Sequence, residues 1–331
     1  MTVRLGLLGA GRIGKVHAEA IAANPRARLI AVADAFPDAA AALAASAGAE
    51  VRSVDAIMDA SDIDAVLITT PTDLHAAMIE RAARADKAIF CEKPIDLDVA
   101  RVRSCLAVVA ETGAKLMVGF NRRFDPNFAE VRRQIDAGAI GSVEMVSITS
   151  RDPGAPPADY IKRSGGIFRD MTIHDFDIAR FLLGEEPVTV YASASVLVDP
   201  EIGALGDYDS ASIVLTTRSG RIAQISNSRR ASYGYDQRIE AHGSKGLVSA
   251  ENVRATNVEV AGADGYRREP LLNFFMTRYT EAYRAEIQAF VAAVEQGGPI
   301  SPSGEDGLKA LLLADAALTS AREKRVVDVA L

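Results

Sequence analysis

Short apolar runs alternate with Ala-rich stretches of helical spacing along the first third of the chain. Residues 3–8, 29–33, 65–69, 88–91 and 115–119 have the length and composition of strands, and helical patterns separate them. This alternation predicts a parallel, doubly wound α/β sheet over residues 1–120. The rhythm then changes. A helix is expected at 127–137 and a strand at 142–150, followed by a Gly/Pro-rich loop over 152–166 and a helix at 168–183. Alternating segments at 188–198, 211–217, 221–228, 237–242 and 247–250 follow. The turn signals Arg218-Ser219-Gly220 and Gly243-Ser244-Lys245-Gly246 mark antiparallel hairpins among them. Helices at 281–296 and 305–323 and a short strand at 325–329 end the chain. The expected architecture is therefore a Rossmann domain at 1–120 and an α+β domain with a large, mostly antiparallel sheet at 121–331. The C-terminal segment is expected to pack back on the first domain.

Composition narrows the picture. A chain of 331 residues with 49% hydrophobic content can bury two ordinary cores. The formal net charge of -7 argues against a nucleic-acid partner or an anionic membrane, because binding either takes a basic surface. No basic leader precedes an apolar stretch and no apolar run approaches the roughly 20 residues of a bilayer span, so a cytoplasmic protein is expected. Cys91 and Cys105 are too few for a disulfide framework or a zinc site, and no metal is expected.

The strongest single motif is Gly9-Ala10-Gly11-Arg12-Ile13-Gly14, placed between the first strand and a helix containing His17. Gly9 permits a tight turn, Gly11 lets backbone approach a pyrophosphate, and Gly14 allows close packing of helix on strand. The helix N-terminus faces the anion. The next strand ends at Asp34, where a carboxylate can accept hydrogen bonds from the adenosine ribose. Ala35 and Phe36 follow, with no arginine to pair a 2′-phosphate, so NAD is the expected cofactor.

Two more strand ends read Thr69-Thr70-Pro71-Thr72-Asp73-Leu74-His75 and Phe90-Cys91-Glu92-Lys93-Pro94, at the carboxyl edge where such sheets bind ligands. Together with the glycine motif, and above all through Glu92-Lys93-Pro94, the chain resembles the family of glucose-fructose oxidoreductase and inositol dehydrogenase (Gfo/Idh/MocA). The blocks Gly119-Phe120-Asn121-Arg122-Arg123-Phe124 and Gly165-Gly166-Ile167-Phe168-Arg169-Asp170 through Asp177 extend the likeness over essentially the whole chain. It is closest to the family's bacterial inositol 2-dehydrogenases, through residues 163–183 and Ser232-Tyr233-Gly234-Tyr235-Asp236. The resemblance implies an NAD-dependent enzyme of polyol catabolism that oxidises a ring hydroxyl to a ketone, with myo-inositol to scyllo-inosose as the expected reaction. It also implies a homotetramer assembled through the open sheet of the second domain. The cofactor set becomes Gly9, Gly11, Arg12, Ile13, Gly14, Asp34, Thr70, Pro71, His75, Glu92 and Lys93.

The residue types suit that chemistry. Asp170 and His174 are four apart on the expected helix and project from one face. Oxidising a secondary alcohol needs a base for the hydroxyl proton, and an imidazole suits the task. His174 is thus the candidate base, Asp170 its support, and Lys93 the donor to the reacting oxygen. Asp177, Tyr233 and Tyr235 are candidate partners of further ring hydroxyls. Taken alone, an Asp/His pair at helical spacing is usually structural and a lysine before proline is usually solvated; the family resemblance changes those odds. Dehydrogenation of another sugar or inositol isomer is one alternative. A non-catalytic nucleotide sensor is another, which Lys93, Asp170 and His174 together argue against. Cys91 reads as a small buried hydrophobe.

Overall fold

The N-terminal apolar runs become β1 (Val3–Leu8), β2 (Ala27–Ala33), β4 (Ala65–Ile68), β5 (Ala88–Glu92) and β6 (Leu116–Gly119), joined by a two-residue β3 (Glu50–Val51) that has no apolar run to announce it. The computed structural model, which describes residues 2–331, orders these six strands β3-β2-β1-β4-β5-β6, all parallel. The order reverses between β1 and β4. That reversal opens a crevice beyond the carboxyl ends of the two strands, which is where sheets of this kind take their ligands. Every residue of β4 and β6 is buried, as expected of strands covered on both faces.

The chain folds as two units, each discontinuous in sequence: residues up to Asp125 with Thr280–Leu311, and Pro126–Tyr279 with Leu312–Leu331. In the first unit the helix Thr280–Gln296 packs on the helix Arg12–Ala22, with Tyr283 edge-on to His17 at 5.5 Å.

The second unit is a seven-stranded sheet. It contains β7 (Val143–Arg151), β8 (Pro187–Ser195), β9 (Ser210–Thr217), β10 (Ile222–Ser228), β11 (Asp236–Gly243), β12 (Gly246–Ala250) and β15 (Val327–Asp328), in the order β12-β11-β7-β10-β9-β8-β15. All neighbours are antiparallel except β7 and β10. Both hairpin turns read from the sequence join paired strands, β9 to β10 and β11 to β12. One face of the sheet, through Val146, Ile148, Ile213, Leu215 and Ile225, forms a core with the helix Thr172–Leu183. The other face presents Ser147, Tyr191, Gln224 and Arg238 to solvent.

Several details depart from the sequence expectation. The loop at 152–166 contains a helix, Ala158–Ser164. A hairpin of β13 (Glu259–Gly262) and β14 (Gly265–Arg268) forms where none is expected. Its strands are exposed on both faces and carry no alternation to read. The helix expected at 168–183 is two, Gly166–Asp170 and Thr172–Leu183, divided at Met171. No helix among the described residues is long and apolar enough to cross a membrane, and no three or more of their His, Cys, Asp and Glu side chains are grouped so that they could hold a metal ion.

Candidate active site

In the first unit, the turn after β1 is shaped by close approach. Gly9 has φ +107°, and a Cβ there would lie 2.6 Å from the Thr69 carbonyl oxygen; one on Gly14 would lie 2.1 Å from the Gly9 carbonyl oxygen. Gly11 has nothing within 4 Å of a built Cβ, so it faces open space at the mouth of the crevice. The helix that Arg12 and Ile13 begin has no side-chain cap and no acidic residue in its first turn. Its first N–H groups and partial positive charge are therefore available to an anion. These features fit a dinucleotide pyrophosphate.

Asp34, at the end of β2, has a role the sequence did not show. Its Oδ2 accepts the Ala10 N–H at 2.6 Å and its Oδ1 the Phe36 N–H at 2.8 Å. The carboxylate thus ties the glycine turn to the end of β2, and each oxygen keeps a lone pair for a further donor. Phe36 beside it is 74% exposed.

The segments after β4 and β5 are pinned to each other. His75 is buried, with Nδ1 2.8 Å from the Pro94 carbonyl oxygen and Nε2 2.7 Å from that of Thr70. Both ring nitrogens thus face backbone carbonyls, and Pro71 lies exposed beside them. Glu92 is buried, and its Oε1 lies 2.7 Å from Nε2 of the fully buried His17, which the sequence left without a role. Lys93 stands between these anchors, its N–H 3.3 Å from Glu92 Oε2. Both cysteines are free and buried. Burial pushes the Cys91 thiol well up and Cys105 up to about 12, so neither supplies a thiolate near neutral pH.

In the second unit, Asp170 ends the helix Gly166–Asp170 and His174 lies in the first turn of Thr172–Leu183. The backbone at Met171 stays right-handed (φ -95°, ψ -59°), and the His174 N–H reaches the Met171 carbonyl at 3.3 Å. The four-residue spacing therefore still spans about one turn despite the division. The Tyr160 hydroxyl donates to Asp170 Oδ1 at 2.8 Å, and Arg229 Nη2 lies 3.5 Å from Asp170 Oδ2. Behind this pair, Thr172 Oγ1 donates to Asn227 Oδ1 and Asn227 Nδ2 to Asp175 Oδ2, both at 2.7 Å, which fastens the helix to the end of β10.

The three candidate substrate groups are placed differently from one another. Asp177 is fully buried, 3.7 Å from the Arg180 guanidinium. Tyr233 is 50% exposed, and its hydroxyl donates to Asp236 Oδ2 at 2.6 Å while accepting from Arg151 at 3.2 Å. Burial, with the Asp236 charge, holds that phenol above its ordinary value. Tyr235 is buried and edge-on to Tyr279 at 5.9 Å. Sequence reasoning missed Tyr160, which comes from the preceding helix, and Asp207, Asn227 and Arg229, which come from segments distant from the helices they support.

A glycine turn, an uncapped helix start and a strand-end carboxylate in the first unit define a dinucleotide-binding protein. Residues 3–120 match the oxidoreductase family with an NAD-binding Rossmann fold and residues 128–249 match the GFO/IDH/MocA C-terminal domain, and the chain belongs to this family. It is 70% identical over 330 residues to inositol 2-dehydrogenase of Rhizobium meliloti (strain 1021), covering 100% of both chains. Identity to myo-inositol 2-dehydrogenase of Thermotoga maritima is 45% over 329 residues, covering 99% of this chain and 98% of the other. The crystal structure of scyllo-inositol dehydrogenase from Lactobacillus casei with bound NAD(H) and scyllo-inositol superimposes with a TM-score of 0.92 at 30% identity, covering 100% of each chain.

Proposed function

We propose that the protein is an NAD-dependent inositol 2-dehydrogenase that oxidises myo-inositol to scyllo-inosose. The observation that carries this reading is the 70% identity, over the full length of both chains, to a protein named inositol 2-dehydrogenase. The segments that would do the chemistry are present with it: the glycine turn, Glu92-Lys93-Pro94, and Asp170 with His174.

The reaction converts a secondary alcohol and NAD⁺ into a ketone, NADH and a proton. Bound NAD supplies the hydride acceptor for the carbinol carbon. Gly11, Arg12, Ile13 and the first N–H groups of the helix Arg12–Ala22 would hold its pyrophosphate, and Asp34 the adenosine ribose. The hydroxyl proton passes to a ring nitrogen of His174. The Lys93 ammonium donates to the same oxygen as negative charge builds there, and Asp170 stabilises the imidazolium that forms. Tyr233 can offer its hydroxyl to a further ring oxygen by exchanging its bond to Asp236.

The protein works in the catabolic direction in the cytoplasm, consistent with its use of NAD and with two free thiols. It assembles as a homotetramer through the open face of the second unit's sheet, where Met145 and Tyr191 are exposed. The test follows NADH absorbance with myo-inositol, scyllo-inositol and glucose offered separately. The highest kcat/KM is expected with myo-inositol. Preference for scyllo-inositol, the ligand of the Lactobacillus casei structure, would reassign the isomer; reduction with glucose alone would overturn the reading.

A further inference from the structure

Arg229 follows the end of β10 and is only 1% exposed, one of the largest fully buried side chains among the described residues. Its Nη2 lies 3.5 Å from Asp170 Oδ2 and 3.8 Å from Asp207 Oδ2. A guanidinium keeps its charge in a protein, so this is a permanent cation shared by two carboxylates. The second carboxylate is itself fixed. Asp207 Oδ1 accepts the Ile167 N–H at 2.9 Å, in the first turn of the short helix that ends in Asp170. Gly166 leaves the room for this, since a Cβ there would lie 2.6 Å from Asp207 Oδ1. Burial pushes the Asp207 carboxyl above its ordinary value, and the Ile167 and Tyr208 N–H groups and Arg229 oppose this without cancelling it. Arg229 is held from behind as well, because its N–H donates to the Asp209 carbonyl at 2.8 Å.

We propose that Arg229 and Asp207 are positioning residues for Asp170. Asp207 sets the start of the helix Gly166–Asp170, Arg229 draws the carboxylate at its end, and Tyr160 fixes the remaining oxygen at 2.8 Å. Asp170 is thereby aimed by three side chains from three separate segments, so its orientation is set before substrate arrives. Neither Arg229 nor Asp207 touches substrate. The inference rests on the reading that Asp170 serves the dehydrogenation.

The test is a double-mutant cycle with Asp170→Asn, measuring kcat and KM for the best polyol and the thermal unfolding midpoint of each variant. Arg229→Met is expected to lower kcat/KM about tenfold or more in the parent, the scale of coupling within one charge network. In the Asp170→Asn background it should cost less than about twofold. Equal losses in both backgrounds would overturn the positioning role while leaving Asp170 in the mechanism. A normal kcat for Asp170→Asn alone would overturn the reading of Asp170, and the positioning role with it. Because methionine strands two partly buried carboxylates, Arg229→Lys is run alongside. It keeps the charge, and recovery of most of the lost kcat/KM is expected. If Arg229→Lys folds normally yet is as slow as the methionine variant in the parent, and equally costly with Asp170→Asn, the proposal is overturned.

Discussion

After β1 the chain prepares a ligand site with backbone: two glycines where a Cβ would collide with a carbonyl, a third facing open space, and uncapped N–H groups at a helix start. Around Asp170, a residue of the proposed site, the second unit builds with side chains instead, and Tyr160, Arg229 and Asp207 converge on a single short helix. The backbone device tolerates change in most neighbouring side chains because it depends on the absence of a Cβ. The side-chain device depends on charges that were costly to bury, so losing one partner strands the others. The first kind of site should therefore lose function by steric insertion, and the second by removal of a single charge.

The largest expected effect tests the second kind at its reacting end. His174→Ala should lower kcat by about 10²- to 10⁴-fold, the range for a positioned general base, with NAD affinity nearly unchanged in a fluorescence titration. Lys93→Met should lower kcat and kcat/KM together by about 10²-fold, because in the proposed mechanism its bond to the reacting oxygen strengthens in the transition state. A raised KM with intact kcat would reduce Lys93 to a substrate anchor. A near-normal rate for His174→Ala would move the base elsewhere.

The difference between the two regions also governs what is legible in the sequence. Parallel strands buried on both faces leave apolar runs, and the glycine turn leaves fixed spacing, so five of the first sheet's six strands and its crevice can be read directly, the exposed β3 being the exception. The hairpin signals at Arg218-Ser219-Gly220 and Gly243-Ser244-Lys245-Gly246 locate two strand pairs. The parallel pairing of β7 with β10 is not legible, because it joins segments far apart and no local signal specifies it. Nor are the partners of Asp170, His17 and Asp34. Arg229 lies 59 residues from Asp170 and Glu92 lies 75 from His17, and nothing in the intervening sequence records that they meet. The break at Met171 is hidden because the apolar period continues through it.

Asp209 offers a smaller test, with a defined pH dependence. Burial alone would push its carboxyl up, but the N–H groups of Leu197, Asp199 and Val198 and the Ser210 hydroxyl outweigh it and hold the carboxyl below its ordinary value. A lowered folded-state value means stability that is present above the unfolded value near 4 and lost as pH falls through the folded one. Asp209→Asn should cost about 1–3 kcal/mol near neutral pH, where charged acceptors are replaced by a neutral amide. That cost should shrink below about pH 4. Denaturant titrations of both proteins across pH 3 to 7 check this, and a pH-independent difference would assign the loss to packing.

Asp34 is where the contrast between backbone and side-chain sites breaks down, because a side chain there completes the backbone turn. Its Oδ2 holds the Ala10 N–H at 2.6 Å, while in the proposed reading its charge disfavours a phosphate on the adenosine ribose. Two substitutions separate these tasks. Asp34→Asn keeps an acceptor for Ala10, removes the charge and turns its amide N–H groups toward the Phe36 N–H, so it should narrow the preference for NAD over NADP by about tenfold, equivalent to about 1.4 kcal/mol, with the unfolding midpoint lowered less than by serine. Asp34→Ser removes the charge and is too short to span to Ala10 from the end of β2. It should narrow the preference similarly, but weaken binding of both dinucleotides and lower the midpoint. Calorimetric titration of each dinucleotide against each variant reads the outcome without turnover. If Asn and Ser behave alike in every measurement, the bond to Ala10 contributes nothing to the turn and Asp34 acts through its charge alone. If neither narrows the preference, discrimination lies elsewhere around the ribose, and the exposed Phe36 beside Asp34 is the next residue to exchange.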